Sequence, residues 1–170
     1  MLDLLIRLGV DIREKDEQGL SAIFYACRRG ELECLQLLLK YGSDIHDRDN
    51  DEHTPLFYAV KSGYVKVVQT LLENGADIDT RDKGNATALI HAAQYGTPLM
   101  VRFLLEKSAA VNARDQHGMT ALFYAADRNE VAIVRLLLEF GARTDAQDIY
   151  GQIPLNYAVQ QDVVHLLRFH

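Results

Sequence analysis

Tryptophan is absent, cysteine occurs twice and proline three times in 170 residues. Two cysteines cannot build the disulfide framework of a secreted domain; they fit reduced thiols in a cytoplasmic or nuclear setting. Cys27 and Cys34 are not spaced CxxC and have no second pair, so a zinc site is not expected. No apolar run nears the roughly 20 residues that span a bilayer. The opening segment, Met1 to Arg7, is too short and too charged for a signal peptide. Basic residues are outnumbered, 18 against 24 acidic, and the net charge is -6. That balance argues against general attraction to nucleic acid or to an anionic membrane. A Gly-rich phosphate loop, a GxSxG elbow and an HExxH pair are all missing, so no catalytic, cofactor-binding or metal residues are expected. The remainder is ordinary: 48% apolar and 25% charged residues, with enough chain to bury a core.

What the chain does have is a period. Ala26, Ala59, Ala92, Ala125 and Ala158 stand 33 residues apart. Asp16, Asp49, Asp82, Asp115 and Asp148 keep the same interval, as do Leu5, Leu38, Leu71, Leu104 and Leu137. A fixed period of this size marks stacked supersecondary units. The units expected are a partial repeat at 1–15, full repeats at 16–48, 49–81, 82–114 and 115–147, and a shortened repeat at 148–170.

Residues 49–81 show what one unit is. Thr54-Pro55 reads as a helix start, with a hydroxyl to cap free N–H groups and a proline where no N–H is needed. Leu56, Ala59 and Val60 share one face of a short helix ended by Gly63, and Val65, Val68, Leu71 and Leu72 share one face of a second, ended by Gly75. An extended segment and turn, Ala76 to Asp82, complete the unit. Neither helix buries its face alone, so neighbours must stack.

These segments (Thr54-Pro55-Leu56 with Ala59, Val67-Val68 with Leu71-Leu72, and Gly75-Ala76-Asp77-Ile78) resemble the ankyrin repeat. Thr120-Ala121-Leu122 with Ala125-Ala126, and Gly141-Ala142, echo them. The resemblance implies an all-α repeat solenoid, curved, with projecting β-hairpin loops or fingers. The family's histidine after Thr-Pro-Leu is replaced by Phe24, Phe57, Ile90, Phe123 and Asn156, mostly apolar. The fingertip glycine, present as Gly19, Gly118 and Gly151, becomes Glu52 and Asn85 in two fingers, where altered turns are expected. The last unit is about three residues short near Gln160, so its final helix should begin early. Asn112 after Val111 matches the position at which ankyrin proteins resemble asparaginyl-hydroxylase substrates.

Some patterns imitate chemistry. Asp47-Arg48-Asp49-Asn50-Asp51 looks like the start of a calcium loop, but Glu52 stands where glycine is required and Tyr58 where glutamate is. It reads as an acidic fingertip. Cys34 sits at the position of Val67 and Ile133 and reads as a small core residue. Lys15, Arg48, Arg81 and Arg114, each before an aspartate of the ladder, read as ion pairs between repeats.

The outward positions carry the expected function. If Leu56, Ala59 and Val60 face the core, Tyr58, Lys61 and Ser62 face away from it, toward what the resemblance makes a concave groove. Its floor is Tyr25, Tyr58, His91, Tyr124 and Tyr157, flanked by Arg28, Arg29, Lys61, Gln94, Tyr95, Asp127 and Arg128. The fingers add Asp47, Asp51, Glu52, His53, His117, Met119 and Tyr150. The tyrosines serve equally well as framework, each ring on its neighbours and its hydroxyl toward water. The expected function is binding of another protein or peptide of mixed charge, without enzymatic activity. The alternative is a targeting or regulatory domain of a larger enzyme or effector. At the N-terminal edge, the first unit has only its second helix, which predicts either a longer array or end-to-end self-association.

Overall fold

The computed structural model describes residues 3–4, 8–95 and 97–169. The helix expected at the chain start falls largely outside them. Asp3 and Leu4 are helical, and the Leu8 N–H donates to the Leu4 carbonyl at 3.0 Å. The chain divides into two compact units, residues 1–83 and 84–170.

The first unit holds α1 (Ala22–Arg29), α2 (Leu32–Lys40), α3 (Pro55–Lys61) and α4 (Val65–Glu73). Each pair forms an antiparallel helical hairpin, and the pairs stack through α1 on α3 and α2 on α4. The second unit repeats the plan with α5 (Ala88–Gln94), α6 (Pro98–Glu106), α7 (Ala121–Asp127) and α8 (Val131–Glu139). It ends in a single 3-10 turn, Pro154–Asn156, and α9 (Gln161–Phe169).

Helices of seven to nine residues are too short to persist alone. Burial holds them. In α3 the residues Pro55, Leu56, Phe57, Ala59 and Val60 are buried, which leaves Tyr58 and Lys61 outward. Ala59, Ala92 and Ala125 are wholly inaccessible, and their small side chains let first helices of adjacent repeats approach closely. Leu38, Leu71, Leu104 and Leu137 are 1% exposed or less, and cutting any one to alanine removes about 2–5 kcal/mol. Cys34 departs from its expected place: it is partly exposed, whereas Val67, Met100 and Ile133 at the equivalent positions are buried.

The helix starts are extended as expected, Thr54 at φ -92° and ψ 168° with Pro55 next. The capping role does not hold. Thr54, Thr87 and Thr120 make no side-chain cap bond, and their hydroxyls are buried without a hydrogen-bond partner. The residues three positions on, Phe57, Ile90 and Phe123, are buried hydrocarbon and offer those hydroxyls nothing. Ser21 is the exception, since its hydroxyl donates to Asp47 Oδ2 at 2.9 Å.

Each finger is a tight loop rather than a two-stranded ribbon, and no run of strand residues occurs among the described residues. In four of the fingers the tip is closed by two backbone bonds. In the second finger Asp49 N–H donates to the His53 carbonyl at 3.0 Å, and Glu52 N–H to the Asp49 carbonyl at 3.1 Å. The turns at Glu52 and Asn85 are not altered. Both residues adopt the left-handed φ of 63° and so take the conformation that Gly19 has at 81° and Gly118 at 74°. Ser108 (φ 67°) and Asn129 (φ 56°) stand in for glycine at helix ends in the same way.

α9 begins three residues before a strict 33-residue spacing from Val131 would place it. Asn129 Oδ1 accepts the N–H groups of Val159 at 2.9 Å and Gln160 at 2.6 Å, which fixes the shortened connection that leads into α9.

Candidate functional site

The outward side of the first helices and the fingers are joined by one device, repeated. An aspartate opens each finger. Asp16 Oδ1 accepts the N–H groups of Gln18 and Leu20, both at 2.9 Å, and its Oδ2 accepts the Tyr25 hydroxyl at 2.5 Å. Asp49 does the same with Asp51, His53 and the Tyr58 hydroxyl, the last at 2.7 Å. Asp115 holds His117, Met119 and Tyr124 (2.6 Å), and Asp148 holds Tyr150, Gln152 and Tyr157 (2.5 Å). One carboxylate thus shapes the finger with one oxygen and fixes the groove ring with the other.

The electrostatics follow. The Tyr25 hydroxyl, then the finger N–H groups, hold Asp16 below its ordinary range, and Tyr157 does the same for Asp148. Those phenols are pushed up in return, chiefly by the bond to the carboxylate. Burial raises Tyr58 first, and the Asp49 bond adds to it. Burial also acts to raise Asp49, but Tyr58 and the finger N–H groups outweigh it.

The tyrosine hydroxyls are therefore each bound to an aspartate rather than left to water alone. The rings pack edge-on against the preceding repeat: Tyr58 on Phe24 with centroids 5.4 Å apart, and Tyr157 on Phe123 at 5.6 Å. All four remain half-buried, so one ring face or edge stays accessible. The guanidinium of Arg28 lies over the Tyr25 ring at 4.8 Å, and His91 and Tyr95 stack at 6.0 Å. Arg28, Arg29, Lys61, Asp127 and Arg128 are exposed beside these rings, and Gln94 is partly so.

The fingers sort differently. Asp51, Glu52, His117 and Tyr150 are exposed, while His53 and Met119 are half-buried. His53 lies between two carboxylates, Nδ1 at 3.2 Å from Asp49 and Nε2 at 3.6 Å from Asp82. Asp47 is not an outward acid. Its Oδ1 lies 2.5 Å from Lys15 Nζ, its Oδ2 holds Ser21, and its side chain is 17% exposed. With Asp47 and Asp49 already filled by these donors, the imitation of a calcium loop has no structural counterpart.

The cation ladder has a target that spacing did not reveal. Lys15 Nζ donates to the Arg48 carbonyl and Arg48 Nη1 to the Arg81 carbonyl, each at 2.9 Å. Arg114 Nη2 donates to the Gln147 carbonyl, and its Nε to the Gly118 carbonyl at 2.9 Å. Lys15, Arg48 and Arg114 clasp the backbone of the next repeat 33 residues on, and Lys15 also makes an ion pair between repeats, with Asp47. Fingertips are also tied one to the next: Asn50 N–H to the Gln18 carbonyl at 3.1 Å, and Ile149 N–H to the His117 carbonyl at 3.0 Å. Asn112 bridges repeats with both ends of its amide, to the Gly141 carbonyl at 3.0 Å and from the Arg143 N–H at 2.9 Å.

Helix pairs joined by aspartate-latched fingers at a 33-residue period agree with one family model, described as ankyrin repeats (three copies), which matches residues 1–82 and again 89–170. The chain belongs to the ankyrin-repeat family. The crystal structure of the ankyrin repeat domain of Bcl-3, described as a unique member of the IkappaB protein family, is similar to this ankyrin array with a TM-score of 0.88. The two are 35% identical over 97% of this chain and 75% of that one. No curated protein matches the array. Ankyrin repeats form a general protein–protein interaction module rather than a catalytic fold. Among the described residues, no helix of the array is long and apolar enough to cross a membrane.

Proposed function

We propose that the chain binds a partner protein or peptide along the first-helix face and the fingers, in a reducing compartment, cytoplasmic or nuclear. The observation that carries this reading is the latch between four finger aspartates and their groove tyrosines. It holds aromatic rings half-exposed in fixed positions, and a preorganised aromatic surface loses little entropy when it is covered. Around this constant frame the exposed neighbours change from repeat to repeat: Arg28 and Arg29, then Lys61 and Ser62, then Asp127 and Arg128. A constant frame with variable neighbours is how one scaffold selects a particular partner. The repeat units of this reading run 16–48, 49–81, 82–114 and 115–147, with partial units at 1–15 and 148–170.

The exposed charges, rather than the latched tyrosines, are the test. A captured partner titrated against Arg28→Glu/Arg29→Glu should bind at least tenfold more weakly, while the circular-dichroism spectrum and Tm stay as they were. Affinity unchanged from the wild type in both this variant and Asp127→Lys/Arg128→Glu would remove the face from the proposal.

A further inference from the structure

Under the first finger of the array a carboxylate is held inside the chain. Asp47 Oδ2 accepts the Ser21 hydroxyl at 2.9 Å, and Oδ1 lies 2.5 Å from Lys15 Nζ. The same Nζ also donates to the Arg48 carbonyl at 2.9 Å, so one cation clasps the next repeat and holds the carboxylate together. The hollow left around this arrangement is about 150 Å³.

The equivalent place three repeats later keeps the hydroxyl, the cation and the clasped carbonyl but not the acid, and Arg143 stands there for Asp44. Thr120 stands for Ser21, Arg114 for Lys15 and Gln147 for Arg48, and Arg114 clasps the Gln147 carbonyl as Lys15 clasps that of Arg48. Ala146 takes the place of Asp47. The Thr120 hydroxyl is then buried, in a residue 1% exposed, with no hydrogen-bond partner. The hollow lined by Arg114, Thr120 and Ala146 opens to about 320 Å³.

We propose that this hollow binds a carboxylate, supplied by an aspartate or glutamate side chain of a partner or by a small free acid. The ligand oxygens take the places of the Asp47 oxygens, against the Thr120 hydroxyl and the Arg114 guanidinium. Arg143 also lines the hollow, paired with Asp145 through Nε and Nη2 at 3.0 Å each. Two guanidinium groups against one carboxylate leave the walls net positive, which suits one negative charge. Asp145 weighs against a doubly charged phosphate. The volume lies at the small end of ligand pockets and fits one side chain. This site does not depend on the groove reading, and either stands if the other fails.

The test is a nitrogen-15 NMR titration of the full chain with sodium acetate and, separately, with a doubly blocked glutamate, each against sodium chloride at equal ionic strength. Saturable shifts are expected at the amides of Thr120, Ala146 and Gln147, and none at Ser21 and Asp47, where the carboxylate is already in place. Tighter binding of blocked glutamate points to a partner side chain, and tighter binding of acetate to a free acid. Ala146→Asp should fill the hollow, weaken either probe at least tenfold and raise Tm above that of Ala146→Asn. Thr120→Val, which keeps the shape, should weaken binding about tenfold without lowering Tm. Wild-type shifts no larger than those with chloride, or acetate binding undiminished in both Ala146→Asp and Thr120→Val, overturn the proposal.

Discussion

Removing three hydroxyl groups should make this protein more stable. A threonine ahead of a helix ordinarily contributes about 1 kcal/mol by accepting a free N–H. Thr54, Thr87 and Thr120 occupy that position, 4%, 1% and 1% exposed, yet none makes the cap bond and none has any other partner. A hydroxyl buried without a partner costs about 1–3 kcal/mol. Valine keeps the branched shape without the oxygen, so each Thr→Val substitution is expected to gain about 1 kcal/mol. The three sites lie in separate repeats and share no partner, so the gains should add to about 3 kcal/mol. For a chain of this length that is roughly 6–12 °C in Tm. Urea unfolding followed by far-ultraviolet circular dichroism measures it, with an unchanged slope showing that the unfolding transition itself is unaltered. Ser21→Ala supplies the contrast. Its hydroxyl is used by Asp47 at 2.9 Å, and its loss should cost about 1–2 kcal/mol. A triple valine variant less stable by about 1 kcal/mol per site would refute the reasoning, because it would mean that the hydroxyls cap their helices after all.

Two further outcomes follow from the fingers. Glu52 adopts a φ of 63°, so Glu52→Gly should gain roughly 0.5–1 kcal/mol, whereas Gly118→Ala should lose about 1–2 kcal/mol because its φ is 74° and its Cβ would sit 2.7 Å from Arg114 Nη2; chemical denaturation decides both, and equal stability of all three proteins contradicts the account. Tyr157 is the foremost cause holding Asp148 below its ordinary value of 3.8. A carboxyl depressed in the folded chain adds stability that is complete above the unfolded value and disappears as pH falls through the folded one. Tyr157→Phe should therefore raise the Asp148 midpoint toward 3.8 and flatten the loss of stability on acidification below that pH, read by carbon-13 titration of the carboxyl and by unfolding at pH 3 and 5.

The period made the helices legible, because burial repeats with it: Ala59, Leu71, Ala92 and Leu104 are all inaccessible. The tyrosine and aspartate ladders were both visible, but not that they bond to each other. A nine-residue offset from a loop to a helix has no meaning until the loop's path is known. The cations were legible as links between repeats, yet not their acceptors, since spacing is silent on whether a guanidinium finds a carboxylate or a carbonyl. Glu52 and Asn85 misled for a physical reason. At Glu52 the two backbone bonds of the fingertip and Asp49 beneath it impose the left-handed turn, and residue preference yields; Asn85 takes the same φ of 63°. Asp47 misled because a cluster of acids reads as solvated until Lys15 and Ser21 are found against one of them. The orphaned threonines could not be read at all, as their sequence is that of an ordinary helix cap.

The latch between aspartate and tyrosine closes over nine residues, always inside one repeat. The clasp from cation to carbonyl spans 33 residues, always across one junction. These two lengths govern how such a gene can change. Duplicating or deleting one 33-residue stretch leaves every latch whole, because no latch reaches past its own unit. At the new junction the clasp and the fingertip bonds must be remade, and both use backbone carbonyls that are present whatever the side chain. Recombination can thus lengthen or shorten the array with its latches intact, leaving only the side chains packed across the new junction to be matched, as Tyr58 is to Phe24 and Tyr157 to Phe123.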